Sequence, residues 1–165
     1  MAFRIPKAVT GGFLLSAAHS DRPCFKVKEN PELVGAYTRL AVERYGGQIL
    51  STWMDRPLSV AGRVMVETDS GLESRLVDID RDLLLIPNVA IHMNRNINDG
   101  YKWNPAVDML PLFGGKEGKG RFQELLEQAA GAKVLGHDLY LYVRDNARIW
   151  GMDNEYLSSA ALDDL

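Results

Sequence analysis

The amino-acid sequence predicts an α+β domain that is rich in β-strands and contains one clear helix. Short segments in which apolar and polar residues alternate recur along the chain, and turn-forming residues separate them, which is the pattern of half-buried strands. Residues 121–130 instead place Phe122, Leu125, Leu126 and Ala129 on one helix face. A barrel or a sandwich-like set of strands with a small helical component is therefore expected.

The N-terminal half of the chain is predicted to contain five strands. Residues 36–45 match a helix face as well as a strand, but β-branched and aromatic residues are frequent there, and Gly46 and Gly47 follow directly, which favours a strand. The five predicted strands are residues 12–18, 24–28, 36–45, 48–53 and 58–67, with breaks at residues 29–31 and 54–57.

The C-terminal half begins with a predicted hairpin, in which the small polar loop 68–71 joins residues 63–67 to residues 72–80. Residues 88–111 carry so much turn-forming polar chemistry that we expect an ordered irregular loop, either functional or merely connecting strands. Beyond Gly131, which is placed to end the helix, residues 138–143 alternate as a strand, and His137 before them is predicted to be a solvated loop residue.

Composition excludes several classes of partner. The formal net charge is -3, and no cluster of Lys and Arg forms the basic stripe that nucleic acid requires. No apolar run approaches the roughly 20 residues that span a bilayer, and the first residues do not have the pattern of a signal peptide. Cys24 is the single cysteine, which excludes an internal disulfide framework and fits a reducing compartment. A cytoplasmic location without nucleic-acid or membrane partners is expected.

Two short loop motifs differ in whether their residues could bind a ligand. The glycine-rich residues 114–120 lack the Gly-Lys-Ser/Thr ending of a phosphate-binding loop, so a flexible surface loop is the better interpretation. His19 and Asp21 form a His-x-Asp pattern after a predicted buried strand, where an imidazole can bind a metal and a nearby carboxylate can orient the ring. The alternative for this tripeptide is an ordinary surface turn.

Four separated segments resemble, in order, the aspartyl aminopeptidase family of zinc metallopeptidases, and the resemblance covers nearly the whole chain. The four motifs in the correct order are far more specific than any one of them. They are Gly11-Gly-Phe-Leu-Leu-Ser-Ala-Ala-His-Ser-Asp-Arg-Pro23; Tyr45-Gly-Gly with Trp53-Met-Asp-Arg-Pro-Leu-Ser-Val-Ala-Gly-Arg63; Ile86-Pro-Asn-Val-Ala-Ile-His-Met-Asn-Arg95 with Asn98-Asp-Gly-Tyr-Lys102; and Glu155-Tyr-Leu-Ser-Ser-Ala-Ala-Leu-Asp-Asp-Leu165.

The resemblance implies an α/β catalytic domain that holds two zinc ions and is interrupted by a β-rich domain for dimerisation and larger assembly. In those terms residues 1–23 are a partial segment of the catalytic domain. Residues 24–147 are the inserted dimerisation domain, and residues 148–165 re-enter the catalytic domain. The activity implied is that of a metalloaminopeptidase that hydrolyses N-terminal residues, acidic ones among them, from a peptide substrate, and the implied partner is a further copy of the chain.

The resemblance also assigns roles to individual residues. His19 resembles a histidine that binds one metal, and Asp21 the carboxylate that supports it. Asp163 resembles the aspartate that bridges the two metals, and His92 a histidine that reaches into the neighbouring subunit's active site. The pattern departs from the family at Ala161, where an arginine is common.

The family's adjacent Glu-Glu pair, a further metal-binding carboxylate and a second metal-binding histidine lie downstream of the segment that contains Asp163. His19 and Asp163 alone fall short of the three protein ligands usual at a catalytic zinc. Two alternatives to a peptidase therefore remain open for this chain: a non-catalytic module for dimerisation and assembly, and a generic β-barrel module for ligand binding.

Overall fold

Alternation of apolar and polar residues builds a six-stranded antiparallel sheet through most of the chain. The computed structural model describes residues 11–12, 14–16 and 22–160. The strands of the sheet are β1 (Cys24–Val34), β2 (Thr38–Tyr45), β3 (Leu58–Thr68), β4 (Gly71–Asp78), β5 (Leu112–Gly114) and β6 (Lys133–Val143). Their order across the sheet is β4-β3-β6-β1-β2-β5. The predicted β-rich α+β class is confirmed.

Short helices and a second hairpin complete the described part of the chain. The helices are the 3-10 helices Leu50–Trp53 and Ile97–Asp99, α1 (Pro105–Asp108) and α2 (Arg121–Ala130). The hairpin consists of β7 (Arg148–Trp150) and β8 (Tyr156–Ser158), which pair with each other and not with the main sheet. The predicted helix at 121–130 and the predicted strands at 36–45 and 58–67 are confirmed, and so is the hairpin, whose second strand ends at Asp78.

The core lies between α2 and one face of the sheet. Phe122, Leu126 and Ala130 of α2 are buried, and α2 packs against β4 and β6. Gly131 ends the helix in the left-handed conformation, where its N–H donates to the Glu127 carbonyl at 2.8 Å. The fully buried sheet residues that face the helix side of the core include Phe25, Val27, Leu40, Val64 and Leu139.

The predicted break at residues 29–31 is wrong, because β1 continues through it to Val34. The pairing of β1 with β2 instead shifts register between Val27 and Glu32. Pro31 lies inside this irregularity, where the missing N–H of proline costs no regular ladder hydrogen bond. The bulge brings the carboxylate of Glu32 to the first turn of α2, where it accepts the N–H groups of Gly120 at 2.5 Å and Phe122 at 2.7 Å.

One predicted strand is a helix in the structure, and the described residues of another have no regular structure. Within 48–53, residues 50–53 form a 3-10 helix, because the Thr52 hydroxyl donates to the Ile49 carbonyl at 2.7 Å and Trp53 is buried edge-on against Phe25, with ring centroids 5.1 Å apart. Of the predicted strand 12–18, the described residues 12 and 14–16 have no regular structure, and Leu14 is fully exposed. None of the described strands pairs with them.

His137 is not a solvated loop residue, which corrects the sequence-based prediction. It lies within β6, which begins five residues earlier than the predicted strand. Both ring nitrogens are buried without a hydrogen-bond partner, and the ring meets Phe122 edge-on at a centroid distance of 6.3 Å. The alternation of β6 points residue 137 toward the core because its partner across the sheet is the fully buried Val64.

Candidate functional site

An apolar cleft lies between the β1–β2 turn and residues 88–112, the segment that contains His92. Its volume is about 670 Å³. Tyr37 and Arg39 contribute one wall, and Met93, Trp103 and Asp108 are among the residues of the other. Arg39 and Asp108 place one charge of each sign in an otherwise mainly apolar and aromatic cleft. Such a cleft suits a peptide or protein segment with a few polar groups.

Hydrogen bonds from short polar side chains to the backbone hold the irregular segment 88–111 in place. The Asp55 carboxylate accepts the N–H of Asn88 at 2.9 Å, which fixes the start of the segment. Asn104 caps α1 by accepting the N–H of Ala106 at 3.1 Å, and Asp108 accepts the N–H of Asn104 at 2.7 Å in return. The prediction of an ordered irregular loop is therefore confirmed.

His92 lies on this segment in an exposed turn, which the N–H of Met93 closes by donating to the Ala90 carbonyl at 2.8 Å. Its neighbours Met93 and Asn94 line the cleft, and the side chains of Ile91 and Met93 are exposed. An exposed histidine flanked by exposed apolar side chains is typical of a surface that contacts another molecule.

A second cleft, of about 540 Å³, lies between the start and the end of the continuous described stretch 22–160. Arg22 and Pro23 line it where the chain enters the sheet, and Ser159 and Ala160 line it where the chain leaves. Trp53 and Arg56 are among the other lining residues. Segments near the two ends of the continuous described stretch 22–160 thus line the same cleft.

The two clefts meet different ends of β2 but also adjoin each other. Tyr37, just before β2, lines the first cleft, and Gly47, just after it, lines the second. Trp53 of the second cleft and Met54 of the first are consecutive residues, so the two clefts come close together at this point.

The candidate ligands His19 and Asp163 and the supporting Asp21 lie outside the described residues. Among residues 22–160 and the few described before them, no group of three or more His, Cys, Asp or Glu side chains is arranged to bind a metal ion. The described residues therefore do not make up a zinc site of their own, and the fit of zinc to this chain depends on the residues at its two ends.

The electrostatics of the outer face of the sheet centre on an ion pair. Lys26 donates to Asp138 with a separation of 2.8 Å, and this hydrogen bond lowers the pKa of the Asp138 carboxyl and raises that of Lys26. Desolvation, together with a hydrogen bond to Asp138, raises the pKa of Tyr140. These groups keep their ordinary charge states near neutral pH, so they form a structural network and not an acid–base pair.

Sequence reasoning missed the contribution of Tyr37, Arg39 and Trp103 to the first cleft. Tyr37 and Arg39 fit the predicted strand 36–45, and Trp103 lies in the predicted irregular loop 88–111, so the sequence did not mark any of them as a site residue. The segments that carry them are distant in sequence, and the pairing of β2 with β5, at Thr38–Gly114 and Arg39–Leu112, helps to bring them together.

Among the residues that the structure describes, no helix is long and apolar enough to span a membrane.

The same fold occurs in solved peptidase structures. A chain in the cryo-EM structure of the complex of Ape4 and Nbr1 superposes with a TM-score of 0.75 at 31% identity, over 85% of this chain and 31% of that one. The dodecamer of mApe1 from S. cerevesiae superposes with a TM-score of 0.66 at 21% identity, over 85% of this chain and 33% of that one, and shows likeness of fold alone.

The sequence matches the profile of the family described as aminopeptidase I zinc metalloprotease (M18) over residues 1–165. The chain belongs to this M18 family, as its motifs predict. A curated relative from Clostridium acetobutylicum, a probable M18 family aminopeptidase 2, is 45% identical over 93% of this chain. The alignment covers 38% of that relative, so the chain spans about two fifths of the curated relatives' length.

Proposed function

We propose that this chain is the part of a dinuclear zinc aminopeptidase that contributes the upstream zinc ligands and the inserted assembly domain. The observation that carries the proposal is the second cleft, where Arg22 and Ala160 line the same space. His19 precedes Arg22 by three residues, and Asp163 follows Ala160 by three. The shared cleft of these two flanking segments supports assigning both candidate ligands to one site.

In this proposal each residue has a simple task. The imidazole of His19 would hold an ion through one nitrogen, and Asp21 would accept a hydrogen bond from the other, which would set the ring orientation. The carboxylate of Asp163 would supply further oxygen ligands. Zinc, when bound, would polarise the scissile carbonyl of a peptide and lower the pKa of a bound water. Acidic N-terminal residues are the proposed preference among substrates.

His92 is proposed to act on a second copy of the chain. Its place in an exposed turn, flanked by the exposed apolar side chains of Ile91 and Met93, supports contact with a neighbouring subunit. We propose a homo-oligomer for this reason, and the dodecameric assembly of the related mApe1 fold agrees with it. The single cysteine supports a cytoplasmic setting for that assembly.

The activity is tested on the protein encoded by the full reading frame that contains the coding sequence of this chain. That protein is purified with zinc and assayed for release of N-terminal residues from peptides. His19→Ala and Asp163→Ala should each abolish stoichiometric zinc binding and activity. Asp21→Asn should lower activity about 10- to 100-fold, as expected when the hydrogen-bond partner of a metal ligand is lost. The neighbouring Asp164→Ala serves as the matched control and should retain activity. Activity that survives His19→Ala would contradict the proposed ligand set.

Mixing of subunits tests the role of His92. His92→Ala and Asp163→Ala should each be inactive alone, whereas an equal mixture of the two should recover activity. Half of randomly formed dimers are mixed, and one of their two sites has both residues, so roughly a quarter of the activity returns. No recovery despite proven subunit exchange would show that His92 does not act across subunits. An inactive but oligomeric product of the full reading frame would favour the non-catalytic assembly module.

A further inference from the structure

The edge strand β4 exposes both its backbone and its apolar side chains. β4 is at the end of the sheet, and none of the described strands pairs with its outer side. Leu72 is 67% exposed and Leu76 is 86% exposed, although both are large apolar residues. β4 contains neither lysine nor proline, and its pairing with β3 runs without a bulge from Gly71 to Asp78. Proteins normally protect such an edge with one of these devices.

The β3–β4 turn determines which backbone groups of β4 are available. Thr68 and Gly71 flank a two-residue turn, and the residues at these positions exchange hydrogen bonds in a hairpin. Residues 71, 73, 75 and 77 therefore direct their N–H and C=O groups to β3. Leu72, Ser74 and Leu76 direct theirs outward, and their side chains lie on the exposed face of the sheet.

The sequence of β4 is complementary to itself in one antiparallel register. If a two-fold axis passes through Ser74, then Ser74 pairs with its own copy and Leu72 pairs with Leu76 of the other chain. On the opposite face, Glu73 then pairs with Arg75 of the other chain. Because Glu73 already contacts Arg75 of its own chain at 3.1 Å, the four charged groups form a ring of alternating sign.

Neighbouring registers are disfavoured for electrostatic and hydrogen-bonding reasons. A shift that centres the pair on Glu73 or on Arg75 places two like charges directly opposite each other. A shift by an odd number of residues would place groups already bonded to β3 opposite the outward groups of Leu72, Ser74 and Leu76. The register centred on Ser74 satisfies both conditions and pairs every residue from 71 to 77.

We propose that β4 pairs with β4 of a second copy of this chain, antiparallel about a two-fold axis through Ser74, to form a continuous twelve-stranded sheet. The contact buries four leucine side chains on one face and closes the Glu73–Arg75 ring on the other. It adds a defined surface to the proposed homo-oligomer. It does not depend on the peptidase activity, so the two proposals fail independently.

Disulfide trapping tests the register. In a hydrogen-bonded antiparallel pair the opposed Cα atoms are about 5.5 Å apart, within the range of a disulfide. Ser74→Cys should therefore form a covalent dimer under mild oxidation. Leu72→Cys and Leu76→Cys should not do so alone, because each lies about 14 Å from its own copy, but an equal mixture of these two should. The unmodified chain, with its buried Cys24, provides the background.

The contribution of the backbone is tested by dissociation of the dimer. Ser74→Pro removes an outward N–H that β3 does not use, so each dimer loses two hydrogen bonds. The Kd measured by analytical ultracentrifugation should rise roughly 10- to 100-fold. Ser74→Ala keeps the N–H and is the matched control. Circular dichroism confirms that each variant is folded.

Three outcomes would overturn the proposal. In the first, Ser74→Cys forms no more covalent dimer than the unmodified chain. In the second, Leu72→Cys alone forms as much as Ser74→Cys, which would indicate another register. In the third, Ser74→Pro and Ser74→Ala have the same Kd, which would place the contact on another surface even if the chain is oligomeric and active.

Discussion

Replacement of Glu32 by alanine tests how the β1 bulge holds the helix. The Glu32 carboxylate is half-buried and accepts two N–H groups from the first turn of α2, those of Gly120 and Phe122. The residue that precedes the helix is Gly120, which has no side chain to cap it. Glu32 therefore replaces the missing cap from 88 residues away in the sequence.

The magnitude follows from the two bonds. A hydrogen bond to a charged group contributes about 1.5–3 kcal/mol, and two of them would contribute about 3–6 kcal/mol at full burial. Water reaches a half-buried site and partly replaces the lost partner, so Glu32→Ala should lower the free energy of unfolding by about 2–3 kcal/mol. Glu32→Gln keeps one acceptor oxygen and should cost about 1–2 kcal/mol.

The assay is urea unfolding of the purified chain at pH 7, followed by far-ultraviolet circular dichroism and by the fluorescence of the tryptophans. Glu29→Ala is the matched control, because Glu29 lies in the same bulge and is exposed. If Glu32→Ala and Glu29→Ala differ by less than about 0.5 kcal/mol, the range of ordinary surface substitutions, then the Glu32 carboxylate does not stabilise the start of α2.

Three further predictions use the same unfolding assay. Gly118→Ala should cost about 2 kcal/mol or more, because its Cβ would clash with the side chain of Thr38, whereas Gly115→Ala meets nothing within 4 Å and should be nearly neutral; equal effects would refute the close packing. His137→Leu should stabilise the protein by about 1 kcal/mol, since it removes two buried ring nitrogens without partners, and a clear loss of stability would reveal a partner for them. Lys26→Met should reduce stability most between about pH 5 and 9: the lowered pKa of Asp138 makes the pair stabilising above the unfolded aspartate pKa of about 3.9, and the raised pKa of Lys26 makes it stabilising below about 10.4. A difference between wild type and Lys26→Met that does not shrink at pH 3 would contradict this pairing.

Prediction from the sequence succeeded where a structural element depends on residues that are close together along the chain. Helix α2 and the β3–β4 hairpin follow from apolar spacing within ten residues and from a four-residue loop. It failed at residues 48–53, where alternation suggested a strand but a local hydrogen bond of Thr52 and the burial of Trp53 produced a 3-10 helix. A strand also needs a partner, and the pattern of a single segment does not reveal whether one exists.

Some features of the candidate site were also predictable from the sequence, and others were not. The motifs around His19, His92 and Asp163 were recognisable from the sequence, and membership of the M18 family confirms the resemblance that they carry. The assigned roles remain predictions. Neither the first cleft nor the closeness of Arg22 to Ala160 had a local signal, because both arise from contacts between segments far apart along the chain.

The sequence by itself determined the β-rich class, the single long helix, the irregular segment 88–111 and the family. These properties follow from residue periodicity, turn chemistry and motif order, all of which can be recognised in the sequence without knowing which segments are neighbours in the fold. Only the tertiary structure decided that His137 is buried, that Glu32 caps α2 and that Arg22 and Ala160 line one cleft. Each of these depends on which strands become neighbours, and strand order is a property of the whole sheet.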